Sequence, residues 1–275
     1  MVGLSRSEAS ASSADHHVAC DLLDAHRTDE VIRALQPDIV IHAQALSDVD
    51  RCEQDPVAAN AQNADAIANV VRAVEHSRAL VVYVSTDYVF DGTKGAPYDE
   101  ADTPHPINVY GRSKLNGERI VLEYPRGIVV RTSTLFGEGR MTFCDAIVTR
   151  LRAQQPVEAF LDQVTSPTYT EDLAQGLADL SLTLVRSREL QGPRTFHVAN
   201  AGGCSRVELA HRVAELLGQS RDLIRPVPMA SQRRVAARPA YSAFTTRHLS
   251  RIIGRTLRPW DDALHAYLRQ RHWLN

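Results

Sequence analysis

No run in this 275-residue sequence approaches the roughly 18 uninterrupted apolar residues that a membrane-spanning helix requires. The first 21 residues are polar and rich in Ser and Ala, without the apolar core of a secretory leader. The four cysteines (Cys20, Cys52, Cys144 and Cys204) stand far apart, with no Cys-x-x-Cys pair and no zinc-type spacing. They read as the reduced thiols of a cytoplasmic protein. A net charge of −2 leaves no basic excess to track nucleic acid. Eleven histidines do not amount to a metal site either. His16 and His17 are adjacent and near the terminus, and no His-x-x-x-His with a third ligand occurs, so metal catalysis is not expected.

Glycine is scarce where a nucleotide-binding α/β fold needs it most. Such folds cradle phosphate on a glycine-rich turn between the first strand and the first helix. Here Gly3 is the only early glycine, and Gly137-Glu-Gly139 and Gly202-Gly203 come too late in the order.

What is present alternates short β-rich runs with helical stretches. Val18–Cys20 reads as a short strand, and Asp29–Leu35 as a helix with Thr28 as its cap and Pro37 beyond its end. Asp38–His42 is apolar without alternation, as a strand buried on both faces would be. Asp55-Pro56 opens a long helix to about Glu75, since Asp caps and Pro suits the first helical position. Ala79–Val84 is a strand, Asn108 to about Tyr124 a helix, and Gly127–Arg131 a strand. This rhythm predicts a parallel sheet covered by helices on both faces.

Further along, Thr170 is placed to cap a helix to about Val185, and Thr195–Ala199 reads as a strand. Ser205-x-x-Glu208 is a capping box whose helix stops at Gly218. Arg221–Tyr241 is a basic, Pro-punctuated loop, and Pro259 starts the last helix. Phe143, Ile147 and Leu151 share helical spacing and read as core.

Met1–Arg6 reads as a second strand, whose end meets the adenine ribose in this topology. Ser5-Arg6-Ser7 then offers a cation and hydroxyls where an NAD binder places an acid. Arg6 is thus the candidate for a 2′-phosphate, which makes NADPH the expected cofactor and NADH the alternative. Two explanations cover the missing first unit. Either the sequence starts at an internal methionine, having lost about 25–30 residues of strand, turn and helix, or the unit is absent and dinucleotide binds poorly or not at all. The first is preferred, because an open apolar sheet edge is an aggregation hazard.

The chemistry concentrates between Val81 and Glu118. A strand ending in Ser85-Thr86 delivers hydroxyls to the carboxyl edge of the sheet, where doubly wound folds bind ligands. Tyr110 and Lys114 lie four apart on a predicted helix and share a face. A nearby ammonium lowers a phenol's pKa and supports the phenolate. The phenol can then protonate a carbonyl oxygen as hydride reaches the carbon, while Thr86 holds the same oxygen. Tyr-x-x-x-Lys alone is common. Its position 24 residues after a strand-terminal Ser-Thr is what gives it weight.

Ser85-Thr-Asp-Tyr-Val-Phe-Asp-Gly92 followed by Asn108-Val-Tyr-Gly-Arg-Ser-Lys114 resembles the extended short-chain dehydrogenase/reductases, within them the dTDP-4-dehydrorhamnose reductases. The resemblance runs from Val2 through most of the chain. It includes Pro37–Ala45 with Val49-Asp50 and Glu53, Asp162-Gln163 with Pro167-Thr168, and Arg238-Pro239. It implies a Rossmann-like, doubly wound parallel sheet lacking its first strand–helix unit, with a small C-terminal substrate lobe. Residues 1–136 would bind NAD(P), and 137–275 would complete the core and form the lobe.

By the resemblance, Thr86, Tyr110 and Lys114 are the catalytic trio. Asp21 and Leu22 lie by the adenine, Ala45, Leu46 and Ser47 along the cofactor's path, and Asn63 is a supporting asparagine. Asp87, Tyr88, Thr134 and Arg238 face the substrate, a nucleotide-linked 6-deoxysugar whose 4-keto group is reduced. The sugar-nucleotide dehydratases carry Thr-Asp-Glu where this chain has Thr86-Asp-Tyr88, and lack of that glutamate favours reduction.

Two departures touch the sugar side. Thr134 replaces the family's tryptophan, and Ala240-Tyr-Ser-Ala-Phe244 replaces its usual polar continuation after Arg-Pro. Among Arg225, Arg233, Arg234 and Arg238, Arg238 is the best candidate to clamp a diphosphate. The competing reading is a non-catalytic scaffold, since the regulatory subunit of methionine adenosyltransferase resembles the same reductases. A homodimer is the default for a soluble enzyme.

Overall fold

A computed structural model describes residues 1–6, 16–187 and 189–274. In chain order the elements begin with β1 (Val2–Ser5), β2 (His16–Ala19), α1 (Ala25–Leu35), β3 (Ile39–His42), α2 (Val49–Gln54) and α3 (Pro56–Asn60). A π-turn over Ala61–Asp65 leads into α4 (Ala66–Val74), followed by β4 (Leu80–Thr86), α5 (Val109–Glu123), β5 (Gly127–Thr132) and β6 (Leu135–Phe136). Next come α6 (Phe143–Arg152), β7 (Val157–Phe160), β8 (Val164–Thr165), β9 (Thr168–Tyr169), α7 (Thr170–Val185) and β10 (Thr195–His197). The chain closes with β11 (Cys204–Ser205), α8 (Arg206–Leu216), β12 (Ile224–Val227), α9 (Arg247–Ile253) and α10 (Trp260–Gln270).

The central sheet is parallel, in the order β10-β5-β4-β3. Strand pleating sends alternate side chains of β4 to opposite faces. Val81 and Tyr83 meet Ile32 of α1, Ile67, Val70 and Val74 of α4, and Val121 of α5. Leu80 and Val82 meet Leu173, Leu177 and Leu180 of α7 and Leu249 of α9. Both faces are therefore covered, which is why these strands read as continuous apolar runs. β1 and β2 pair in parallel with each other, and Leu4 packs on the α1–α4 side. Among the described residues no strand pairs with the outer edge of β3, where Ile41 is 47% exposed. A second core joins α6, α8 and α10 to the paired strands β7 and β12.

Several expected boundaries shift for local reasons. The first helix starts four residues earlier than its predicted Asp29, because Asp24 caps it by accepting from the Arg27 N–H; Thr28 lies buried inside. The single helix expected from Asp55 to Glu75 is broken in register by the π-turn, although Asp55 does cap it through the Ala58 N–H. Thr170 is the first helical residue of α7 rather than its cap, and Tyr169 takes the cap position. The supposed loop 221–241 contains β12. The Ser205–Glu208 capping box forms as expected. Ser7, expected with Ser5 and Arg6 at the ribose-facing end of the second strand, lies outside the described residues. Among the described residues no helix is long and apolar enough to cross a membrane.

Candidate active site

β4 ends at the carboxyl edge of the sheet with Ser85 and Thr86, and a short 3-10 turn over Asp87–Val89 follows. Thr86 caps that turn by accepting from the Tyr88 N–H at 3.2 Å. The turn buries Asp87, whose carboxylate receives hydroxyl donors from Thr86 at 3.1 Å, Ser133 at 2.8 Å and Ser242 at 2.5 Å. Burial pushes the Asp87 carboxyl above its ordinary range, and the Ser242, Ser133 and Thr86 hydroxyls oppose that rise. Tyr88 and Tyr110 meet edge to face, with ring centroids 6.0 Å apart.

α5 carries the other half of the site. Asn108 caps it by accepting from the Gly111 N–H at 2.8 Å, and its amide donates to the Ala237 carbonyl at 2.9 Å. Glu53 accepts from the Val109 N–H at 2.9 Å, so α2 also holds this helix start. Gly111 allows close docking: a Cβ there would sit 2.0 Å from the Tyr88 carbonyl oxygen. With the helix so placed, the buried Tyr110 phenol comes close to the Thr86 hydroxyl. Burial drives its pKa well above the ordinary phenol value, with the Thr86 contact opposing the rise.

Lys114 follows one turn later and is 1% exposed. Burial draws its ammonium down to about 7, against the favourable charge of Glu118. Its Nζ lies 3.9 Å from the centroid of the Tyr83 ring and has no hydrogen-bond partner among the described residues.

Asn63 is fully buried and organises the loop that follows β3. Its side chain accepts from the Leu46 N–H at 2.8 Å and donates to the Leu46 carbonyl at 3.1 Å and the Ser113 hydroxyl at 2.9 Å. Ala45, Leu46 and Ser47 are thereby pinned to α5. At the end of β3, His42 stacks on Tyr83 at 5.6 Å; burial lowers its pKa to about 3, and its Nε2 has no partner. Asp21 is exposed and accepts from the Leu23 N–H, the Leu22 carbonyl accepts from the Asn69 amide, and Arg6 is exposed at the end of β1.

The arginine cluster divides. Arg234 and Arg238 face Tyr88 electrostatically together with Arg206, which the sequence reading did not select. Arg225 sits in β12 opposite Glu158, away from that group in the strand order. The Arg238 fork is already engaged with Asp50 of α2 at 3.1 and 3.2 Å and with the Ala236 carbonyl at 2.8 Å. It therefore ties the C-terminal segment to α2. Thr134 adopts a φ of 30°, unusual for a β-branched residue, and accepts from Arg206 at 3.3 Å.

Other residues that matter escaped the sequence reading. Glu118 accepts from Ser85 at 2.6 Å and from both sides of the Arg131 fork at 2.9 and 2.7 Å, all buried. Only its i+4 spacing from Lys114 hinted at a role. Away from β4's end, one ligand atom each of Asp99, Glu100 and His248 lies within 4.8 Å of the others. Glu100 also accepts from the His197 N–H at 3.1 Å, joining that loop to β10.

A nicotinamide dinucleotide fits this edge at its nicotinamide–ribose half, where the buried Lys114 ammonium and His42 Nε2 lack partners. No glycine stands between Gly3 and Gly92, so a backbone cradle for its pyrophosphate is not among the described residues there.

The family model for the RmlD substrate binding domain matches residues 2–272. A dTDP-4-dehydrorhamnose reductase of Mycobacterium tuberculosis is 38% identical over 255 residues, covering 90% of this chain and 81% of that protein. A probable dTDP-4,6-dihydroxy-2-methyloxan-3-one 4-ketoreductase of Streptomyces antibioticus is 34% identical over 249 residues, covering 89% and 82%. The crystal structure of dTDP-4-dehydrorhamnose reductase from Bacillus anthracis in complex with NADP superposes with a TM-score of 0.84 at 32% identity, covering 96% of this chain and 92% of that one. With its Rossmann-like sheet and these matches along nearly its whole length, this chain belongs to the RmlD family of sugar-nucleotide reductases.

Proposed function

We propose that this protein uses NADPH to reduce the 4-keto group of a nucleotide-linked 6-deoxysugar. The observation that carries the reading is the placement of Thr86, at the carboxyl end of β4, beside the buried Tyr110 of α5, with Lys114 one helical turn on. The names of its relatives and the NADP-bound neighbour point the same way.

A reduced nicotinamide, when bound, supplies hydride to the carbonyl carbon. Tyr110, firmly protonated in its buried position, donates the phenolic proton to the carbonyl oxygen. Thr86, itself oriented by Asp87, hydrogen-bonds the same oxygen and fixes its approach. The Lys114 ammonium offsets the phenolate that forms. Ala45, Leu46 and Ser47, pinned by Asn63, line the cofactor's side, with Asp21, Leu22 and Arg6 toward its adenine end. Tyr88, Thr134 and Arg238 border the sugar nucleotide, the last by fixing α2.

The sealed Asp87 carboxylate suits support rather than proton shuttling, which favours reduction over dehydration. Residues 1–136 would hold the dinucleotide, and 137–275 would complete the sheet and form the substrate lobe. The four unpaired, buried cysteines fit a reducing compartment such as the cytoplasm.

The test is consumption of NADPH by the purified protein with dTDP-4-dehydrorhamnose, followed by absorbance. Tyr110→Phe should lower kcat by about 10²–10⁴-fold with little change in KM for the sugar. Unchanged turnover in that variant would remove Tyr110 as the acid. No turnover by the parent protein with any nucleotide-linked 4-keto sugar would favour the non-catalytic scaffold.

A further inference from the structure

Lys114 and Lys94 are the only lysines in the sequence, and Lys94 is on the surface paired with Asp102. Among the described residues, Lys114 Nζ has no hydrogen-bond partner. The Tyr83 ring lies under that buried ammonium, its centroid 3.9 Å from Nζ.

We propose that Tyr83 is the positioning residue for Lys114, its ring face serving as a cation–π platform that holds the ammonium charged beside Tyr110. The inference rests on the reading of Lys114 as the ammonium of the relay. Tyr83 is itself fixed on three sides. Its hydroxyl donates to the Asn63 carbonyl at 2.5 Å. That carbonyl lies in the π-turn, where the backbone leaves the i→i+4 ladder. His42, its β-sheet neighbour, stacks on the ring. Gly117, one turn beyond Lys114, leaves the room: a Cβ there would meet the Tyr83 hydroxyl at 2.3 Å and the Asn63 carbonyl oxygen at 2.5 Å.

The charged groups around the ammonium agree with this arrangement. On β3, His42 stays neutral near pH 7, since burial holds its pKa at about 3, so it does not repel the lysine. On α5, Glu118 favours the ammonium but is shared with Arg131 of β5 and Ser85 of β4. Tyr110, also on α5, stays neutral until it has given up its proton. The electron-rich Tyr83 ring faces Nζ directly. A desolvated cation–π contact is worth roughly 2 kcal/mol, which corresponds to about 1.5 pH units in the titration of the lysine.

The experiment reads Lys114 directly and needs no cofactor. Lys94→Arg leaves Lys114 as the only lysine, so the pH dependence of its single side-chain NMR signal in lysine-labelled protein gives its pKa. In that background Tyr83→Phe keeps the ring and should titrate within a few tenths of a unit of the parent. Phenylalanines carrying one, two and three ring fluorines at the same position keep the shape while draining the ring face. They should lower the Lys114 pKa stepwise, by about one unit or more in total. Tyr83→Leu should lower it at least as far, and kcat for reduction should fall in step while KM for the sugar holds. A Lys114 pKa indifferent to fluorination overturns the proposal, even if Tyr83→Leu loses activity or fails to fold. If the pKa falls with fluorination but kcat does not, the platform stands, and it is the catalytic reading of Lys114 that fails.

Discussion

Replacing Lys114 with methionine should make the fold more stable at neutral pH while removing the relay ammonium. Lys114 is 1% exposed, and burial lowers its pKa from 10.5 to about 7. Between those two values the unfolded chain binds a proton that the folded chain has lost, so stability rises with pH across the window. Below about pH 7 the full cost of holding the ammonium in the core is present, and it is relieved as pH climbs toward 10.5. With about 1.4 kcal/mol per pH unit, the cost is about 4 kcal/mol at pH 7 and about 1 kcal/mol at pH 9.5. Methionine fills similar length without charge. Urea unfolding of both proteins at the two pH values should therefore show Lys114→Met ahead by several kcal/mol at pH 7, with most of that lead gone at pH 9.5. A variant that is no more stable at pH 7, or a gap that does not change with pH, would refute the reasoning. The outcome would also place the lysine among residues kept for function at the expense of stability.

Two further perturbations test the frame around the site. Arg131→Met leaves Glu118 buried with one hydroxyl partner, and should cost about 3–5 kcal/mol in urea unfolding, whereas adding Glu118→Leu should recover most of it. A single variant costing under about 1 kcal/mol would show that the pair is not desolvated as its burial implies. Gly111→Ala forces a methyl to within 2.0 Å of the Tyr88 carbonyl oxygen. It should lower the melting temperature by several degrees, about 2–4 °C for each kcal/mol in a chain of this size. It should also cut turnover by displacing Tyr110; unaltered melting and turnover would mean that α5 can slide without cost.

The parts of this molecule that could be read from the sequence are those set by near neighbours. β3, β4 and β5 are apolar throughout because both faces of the sheet are covered. Asn108 and Ser205 announce their helices because a cap and its N–H partner lie three residues apart. The Tyr110 and Lys114 pair follows from helical period alone. The π-turn stayed hidden because its apolar spacing continues that of the helices beside it, and the extra residue shows only in where Asn63 points. The two-residue strands β6, β8, β9 and β11 are made by their partners, not by propensity. Thr28 and Asp24 could each cap α1, and only packing decides between them. In the site, Ser242 and Arg131 were missed because they meet Asp87 and Glu118 through the tertiary fold, with no spacing to mark them. Lys114 falls on its helix as its spacing predicts, but its ring partner on β4 carries no signal in the sequence.

The segment around residues 236–242 also sets when the site can exist. Ala236 binds Asp50 across 186 residues, Ala237 binds Asn108 across 129, and Ser242 binds Asp87 across 155. Contacts this distant in sequence form late, because long loops must close before they are repaid. A growing chain can therefore present Tyr110 and Lys114 on a finished helix well before α2, the start of α5 and Asp87 are fastened together. Refolding should show secondary structure first, with competence to bind the sugar nucleotide arriving in a later, slower phase.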